Sequence, residues 1–211
     1  MHIKFFTFNP LQENTFLLWD DTKEAVVIDA GMFFEEEKQY FSQFIEINEL
    51  KLVRVLNTHL HLDHQFGNKY LFDTYGIAPE AGKDDQFLLD TAHRSAAKWG
   101  LPYFEPIQEL KSYITDNQEI KFGNSTLIAL HTPGHSPGSH SLYWKEKNVV
   151  FVGDVLFKGS IGRTDLEKGD YATLIHSIEN RLLALPDDTV VYPGHGPATT
   201  IAEEKQYNPF L

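Results

Sequence analysis

Residues 58–64 read THLHLDH, a segment that places three histidines and one aspartate within six positions. Imidazole and carboxylate groups are ligands of zinc, iron and manganese in proteins. In extended backbone, the side chains of residues i and i+2 point the same way, so His59, His61 and Asp63 can converge on one side. His64 then points elsewhere and can serve a second ion, and a loop that turns into a helix would present both sets of ligands. The spacing therefore predicts a metal-binding segment.

Three more candidate ligands each follow an apolar, strand-like run and stand beside glycine or proline: His135 in HTPGHSPGSH, Asp154 in VVFVGD, and His195 in PGHGP. Ends of neighbouring strands bring side chains from distant parts of a sequence into one pocket. Without thiolate ligands, such a set fits a catalytic centre better than a closed structural site. The ligand sets expected for two ions are His59, His61 and His135 for one, Asp63, His64 and His195 for the other, and Asp154 as the bridge.

The other five histidines are expected to be structural. His2, His93 and His176 are expected at the surface or as satisfied core residues, and His131 and His140 flank the HTPGHSPGSH loop at strand ends. Two basic residues in the loop after Asp154, Lys158 and Arg163, are candidate contacts for an anionic substrate group.

Hydrophobic periodicity predicts the elements that must position these residues. Two rounds of strands followed by a helix indicate two packed sheets with helices outside. Asp170 is the expected N-cap of the last helix and Pro186 its end. Strands are predicted over 3–8, 15–19, 25–28, 52–56, 119–122, 126–130, 141–144, 149–152 and 189–192, and helices over 34–50, 68–75, 84–99 and 170–185.

The composition narrows the classes of partner. The chain of 211 residues has a formal charge of −12 and no cysteine, which excludes disulfides, thiolate metal ligands and cysteine nucleophiles. Nothing in it supplies the basic surface that nucleic acid or an anionic membrane attracts. The expected partner is a small molecule, and the expected assembly is a monomer or a small homo-oligomer.

The N-terminal segment predicts a strand and not an exported leader, because it has one lysine and no small-residue cleavage site. No run approaches the roughly 18 apolar residues of a membrane helix. We therefore expect a cytoplasmic protein. We also expect one domain over residues 1–211, because no linker or internal repeat marks a boundary.

Taken together, THLHLDH, TPGHSPG, the FVGD turn and PGHGP resemble the signature of the metallo-β-lactamase-fold hydrolases. The resemblance spans essentially the whole chain, and all seven metal-ligand positions of that pattern are filled. It implies an α+β protein with an αββα sandwich, in which two mixed sheets carry helices on their outer faces. The metals would then lie at one edge of the sheets.

Within this superfamily, GSIGRTDLEKGDYATLIHSI and the ending YNPFL are similar to the short glyoxalase II-like group. That resemblance implies thioester hydrolysis, with Asp29 in AVVIDAG steadying the metal loop. The C-terminal helical domain of full-length glyoxalase II is not expected. Arg163 aligns with a basic residue that the longer enzymes use on the glutathione carboxylate. Asp165 and Pro197 stand where those enzymes carry aromatic residues.

The expected reaction begins with a water molecule that bridges two divalent ions. Binding to the ions lowers the pKa of this water from 15.7 to about 7. The resulting hydroxide attacks a carbonyl, with Asp63 and Asp154 in the catalytic centre. Zinc is the expected metal, with iron or manganese as alternatives. A thiolate leaves almost unassisted whereas an amine needs a proton donor, so an ester or thioester is favoured over an amide.

Two other functions remain open from the sequence. One is a mononuclear iron dioxygenase that acts on glutathione persulfide, with His59, His135 and Asp154 as a facial triad. The other is a non-catalytic metal-binding protein, which would bind metal but turn over no thioester, ester or lactone.

Overall fold

The computed structural model describes residues 2–101 and 109–211. The chain divides into two compact units, the first taking in residues 1–113 and 121–125, the second residues 114–120 and 126–211. In the described part of the chain, no helix has both the length and the apolar character needed to cross a membrane.

The first sheet is mixed and has six strands in the order β1-β2-β3-β4-β5-β6. Neighbours from β1 to β3 are antiparallel, whereas β3–β4 and β4–β5 are parallel. The THLHLDH loop leaves the end of β4, which is parallel to both of its neighbours. The strands are β1 (His2–Phe8), β2 (Glu13–Trp19), β3 (Glu24–Ile28), β4 (Lys51–Leu56), β5 (Pro79–Gly82) and β6 (Ser112–Ile114).

The described residues of the first unit include the helices α1 (Glu35–Ile47), α2 (Asn68–Tyr75) and α3 (Gln86–Lys98). Aromatic and branched side chains of β1, β2, β3 and α1 form its core, in which Phe6 lies 5.5 Å from Phe41 between ring centroids. Gly76 follows α2 and caps it with a left-handed backbone (φ +70°).

The second sheet is also mixed and has the order β14-β13-β10-β9-β8-β7. Its pairs are antiparallel from β8 to β10 and parallel between β10 and β13. A separate hairpin follows β10. The strands are β7 (Glu119–Phe122), β8 (Ser125–His131), β9 (His140–Trp144), β10 (Val149–Gly153), β13 (Val190–Pro193) and β14 (Thr199–Thr200), and the hairpin is β11 (Leu156–Phe157) with β12 (Ser160–Ile161).

The last predicted helix, 170–185, is shorter in the structure. Asp170 is its N-cap and accepts a hydrogen bond from the Thr173 N–H, but α4 itself covers Tyr171–Ser177. Residues 178–182 form a wider turn, in which the Leu183 N–H donates to the Ile178 carbonyl at 2.9 Å. The buried leucines and isoleucines of both segments join one core with Val150 and Val191. Helix α5 (Ile201–Tyr207) was not predicted.

Candidate metal centre

The THLHLDH loop leaves the end of β4 and is largely buried. The extended backbone reaches only as far as His61, because Leu62–His64 forms a 3₁₀ turn. The side chains therefore do not alternate through Asp63, and the segment follows the second arrangement expected from the sequence, a loop that turns into a helix. The turn instead brings the ring of His64 to 4.1 Å from that of His59, between centroids, and the ring of His61 lies 4.9 Å from His59.

Asp29 holds this loop from the end of β3. Its carboxylate accepts hydrogen bonds from the Thr58 N–H and hydroxyl, both at 2.7 Å, and from His64 Nδ1 at 3.1 Å. Asp29 is buried and has a left-handed backbone (φ +53°), which few residues other than glycine adopt. Because Nδ1 of His64 is the donor, the ring carries its lone pair on Nε2, the form that binds metal.

The same carboxylate acts on His59 through Thr58. The Thr58 hydroxyl has one hydrogen and donates it to Asp29, so its oxygen accepts from His59 Nδ1 at 3.1 Å. His59 therefore also carries its lone pair on Nε2. One ligand atom from each of Asp29, His59 and His64 lies within 4.8 Å of the others. The Nε2 atom of His64 is also 3.7 Å from Asp63 Oδ2.

Two buried side chains fix the backbone between His59 and His61. The Leu60 N–H donates to Asp85 Oδ2 at 3.2 Å, and the Leu60 carbonyl accepts from Gln65 Nε2 at 2.5 Å. The N–H and the carbonyl of Leu60 are thus both hydrogen-bonded to side chains. The backbone that carries His59 and His61 is therefore held in one conformation.

Glu13 is a fully buried carboxyl behind this loop that the sequence analysis missed. Its Oε2 accepts from the Thr15 hydroxyl at 2.8 Å, and its Oε1 lies 3.9 Å from His64 Nδ1. Burial raises the pKa of Glu13 well above its ordinary value. His64 partly opposes this increase, and the charge of Asp29 adds to it. Room for this carboxyl depends on Gly31, since a Cβ there would lie 1.9 Å from Glu13 Oε2.

His135, in the second unit, lies in the loop between β8 and β9. Its Nδ1 donates to the Arg163 carbonyl at 2.8 Å, which leaves the lone pair on Nε2 as in His59 and His64. Gly134 anchors the loop, because its carbonyl accepts from the Asp170 N–H at 2.8 Å. A Cβ at Gly134 would lie 2.3 Å from the backbone of Leu174. Because the φ angle of Gly134 is also +132°, no other residue fits at this position.

Asp154 follows β10 and faces two histidines of its own unit. Its Oδ2 lies 3.8 Å from His135 Nε2 and 3.7 Å from His195 Nε2, and His195 follows β13. Two ligand atoms on one tetrahedral zinc ion lie about 3.4 Å apart, since each is about 2.1 Å from the metal. Each of the two distances from Asp154 therefore fits a pair of ligands on one cation, as expected for a carboxylate that bridges two ions.

Comparison with known proteins identifies the family. The family model described as the metallo-beta-lactamase superfamily matches residues 8–195. The chain belongs to this superfamily. It is 39% identical to hydroxyacylglutathione hydrolase GloC of Haemophilus influenzae over 212 aligned residues, which cover 100% of this chain and 98% of that protein.

Two solved structures are similar along the whole chain. BLEG-1, a B3 metallo-beta-lactamase, is 37% identical with a TM-score of 0.89, covering 100% of this chain and 99% of that one. TTHA1623 in a di-iron-bound form is 36% identical with a TM-score of 0.87, covering 99% and 100%. The superfamily and the α+β fold with two mixed sheets, both predicted from the sequence, are confirmed, and the fold with its His/Asp cluster implies divalent metals.

The two basic residues proposed from the sequence as substrate contacts both have acidic partners in this member of the superfamily. Lys158 Nζ lies 3.2 Å from Glu203 Oε1. Arg163 donates to both carboxylate oxygens of Asp165, at 2.7 and 2.8 Å. An anionic ligand that binds Lys158 or Arg163 therefore has to compete with the carboxylate of Glu203 or of Asp165.

His131 and His140 bind the backbone of the loop that carries His135. His131 Nε2 donates to the Pro137 carbonyl at 3.0 Å, and His140 Nδ1 donates to the Gly138 carbonyl at 2.9 Å. The two rings lie 4.9 Å apart between centroids. Burial lowers the pKa of His140 from its ordinary 6.5 to about 4; the hydrogen bond to Gly138 and the charge of Asp116 oppose this shift, whereas His131 and Arg181 add to it.

His140 is expected to make stability depend on pH between about 6.5 and 4. As the pH falls through this window, the unfolded chain takes up a proton on His140 that the folded chain does not, so the free energy of unfolding falls. The loss at pH 4 is on the order of 3 kcal/mol relative to pH 7. Urea unfolding at both pH values measures it.

The matched variants are His140→Asn, which keeps a donor for the Gly138 carbonyl, and His176→Asn on the exposed side of α4. The first is expected to flatten the pH dependence and the second to leave it unchanged. The same slope in His140→Asn as in the unchanged protein would show that another group titrates.

Proposed function

We propose that this metallo-hydrolase cleaves a thioester of the hydroxyacylglutathione type, such as S-lactoylglutathione. The observation that carries the proposal is the fixed protonation of three imidazoles. In His59, His64 and His135, an oxygen of the protein accepts the Nδ1 hydrogen, so each ring offers Nε2 to a metal. The relative named hydroxyacylglutathione hydrolase supports the thioester.

The metal ligands of the proposal are those predicted from the sequence, and they bind two divalent ions. Imidazole and carboxylate suit zinc, iron and manganese alike, and a relative with a di-iron-bound form supports iron as an alternative to zinc. When bound, such ions supply hydroxide at neutral pH, because they lower the pKa of water to about 7. The seven residues are His59, His61, Asp63, His64, His135, Asp154 and His195.

The residues of the chain hold this centre in one geometry. Asp29 and Thr58 orient two imidazoles of the THLHLDH loop, and the Arg163 carbonyl orients His135. Asp63 and Asp154 are the catalytic carboxylates of the proposal. A thiolate leaving group, with a pKa near 8.5, departs without a proton donor, which matches a site whose imidazoles are committed to metal.

The first test is metal analysis of the purified protein together with hydrolysis of S-lactoylglutathione. We expect two divalent ions per chain, loss of turnover after chelation, and recovery when zinc, iron or manganese is returned. His195→Gln is expected to lower metal content and turnover. His176→Gln, which changes an exposed histidine of α4, is the matched control and is expected to change neither.

Three other results would each replace the proposal. One iron per chain and oxygen consumption with glutathione persulfide would identify a dioxygenase. Hydrolysis of a β-lactam but not of a thioester would place the activity with that of BLEG-1, the B3 metallo-beta-lactamase. Metal-loaded protein that cleaves no thioester, ester, lactone or β-lactam would identify a non-catalytic metal-binding protein.

A further inference from the structure

Arg163 is fixed at its backbone by the proposed metal site. Its carbonyl accepts the Nδ1 hydrogen of His135 at 2.8 Å. The residue before it, Gly162, packs so closely that a Cβ would lie 1.8 Å from the Asp154 carbonyl oxygen. The side chain of Arg163 therefore starts directly beside two of the proposed ligands, and we keep its guanidinium as the candidate contact for an anionic substrate group that the sequence predicted.

Asp165 occupies this guanidinium in the way a ligand carboxylate would. Arg163 Nε donates to Oδ1 at 2.7 Å and a terminal nitrogen donates to Oδ2 at 2.8 Å, so the pair is bidentate. Both side chains are exposed, 62% for Arg163 and 70% for Asp165. The second cation of the loop, Lys158, has Glu203 as its partner. The loop after Asp154 thus presents ion pairs where the sequence alone predicted two positive charges.

We propose that Asp165 is a specificity-determining residue, which lowers the affinity of the site for thiol carriers that bear a carboxylate, glutathione included, and leaves the affinity for uncharged carriers unaffected. A ligand carboxylate must displace Asp165 from Arg163 and then lie near the displaced negative charge. An uncharged carrier makes no such exchange. This inference rests on the proposed thioester hydrolysis and concerns how strongly that same site binds its thiol carrier.

An exposed ion pair is weak, so the displacement lowers affinity for an anionic carrier by about fivefold and does not abolish binding. Since the competing charges lie in solvent, added salt reduces the effect. The pair therefore sets a preference between substrates that share one acyl group.

The test compares two lactoyl thioesters, one on glutathione, which carries two carboxylates, and one on N-acetylcysteamine, which is uncharged. Asp165→Asn is expected to raise kcat/KM for the glutathione thioester about fivefold, through KM, and to leave the N-acetylcysteamine thioester unchanged. Glu167→Gln is the matched control, because it removes the same charge two residues away. Equal changes for both thioesters, or the same gain in Glu167→Gln, would overturn the proposal.

A binding measurement separates this inference from the proposed function. S-methylglutathione is a thioether with the same carboxylates and cannot be hydrolysed. Calorimetry is expected to show about fivefold tighter binding to Asp165→Asn than to the unchanged protein, with a smaller ratio at high salt. Equal affinity, including no measurable binding by either, would overturn the role of Asp165. Tighter binding without cleavage of either thioester would retain that role and refute thioester hydrolysis.

Discussion

Asp154→Ala is expected to lower kcat/KM for thioester hydrolysis by at least about a thousandfold, equivalent to about 4 kcal/mol of transition-state stabilisation. One carboxylate oxygen of Asp154 faces the Nε2 atoms of both His135 and His195 at 3.7–3.8 Å. Its removal takes the carboxylate out of this set and leaves two imidazoles with no acidic ligand between them. Steady-state kinetics and metal content per chain, measured on the same preparation, report the loss.

Asp187→Ala is the matched control for this change. Asp187 lies in the same unit, is 71% exposed, and forms an ion pair with Lys205 at 2.6 Å. We expect this variant to keep its metal content and turnover, because an exposed pair of this kind is worth no more than about 1 kcal/mol. Full activity in Asp154→Ala would contradict the assignment of Asp154 as a ligand.

The placement of candidate ligands at the ends of strands could be predicted because each follows an apolar run. Those runs became β4, β8, β10 and β13, and His59, His135, Asp154 and His195 follow them as expected. The local geometry of the THLHLDH segment could not be predicted in the same way. Side chains alternate between two faces only while the backbone is extended. This alternation ends at His61, where the chain enters a 3₁₀ turn.

The residues that hold the ligands were harder to find from the sequence. Asp29 came from a resemblance, whereas Thr58, Glu13 and Asp85 were missed. Their roles depend on contacts across 25 to 51 positions of sequence, such as Asp85 with Leu60 and Glu13 with His64. No clear signal in the sequence marks Glu13, because it opens β2 together with Asn14 and Thr15, ahead of the predicted strand, and its full burial shows only in the structure.

The partner of Arg163 was also missed, for a different reason. Asp165 is only two residues away, and the sequence analysis noted it solely as a replacement for an aromatic residue. Whether two neighbouring side chains in a loop meet depends on backbone angles that periodicity does not determine. The bidentate pair therefore became visible only in the structure, and with it the lowered affinity for carboxylate-bearing carriers proposed above.

Asp29→Ala is expected to lower zinc affinity by about 10- to 100-fold and the free energy of unfolding by about 3 kcal/mol. The variant leaves three buried donors without their acceptor: the Thr58 N–H, the Thr58 hydroxyl and His64 Nδ1. The Thr58 hydroxyl can then rotate, so the protonation of His59 is no longer fixed either. Zinc competition with a chromophoric chelator and urea unfolding of the metal-free protein measure the two effects separately.

Asp29→Gly separates the hydrogen bonds of Asp29 from its backbone conformation. At φ +53° an alanine is strained by about 1 kcal/mol, whereas a glycine is not. Both variants lose the carboxylate, so we expect equal losses of zinc affinity, with the alanine variant less stable by about that strain. Zinc affinity restored by glycine would mean that the strained backbone, and not the carboxylate, orients the histidines. Unchanged affinity in both would remove Asp29 from the support of the metal site.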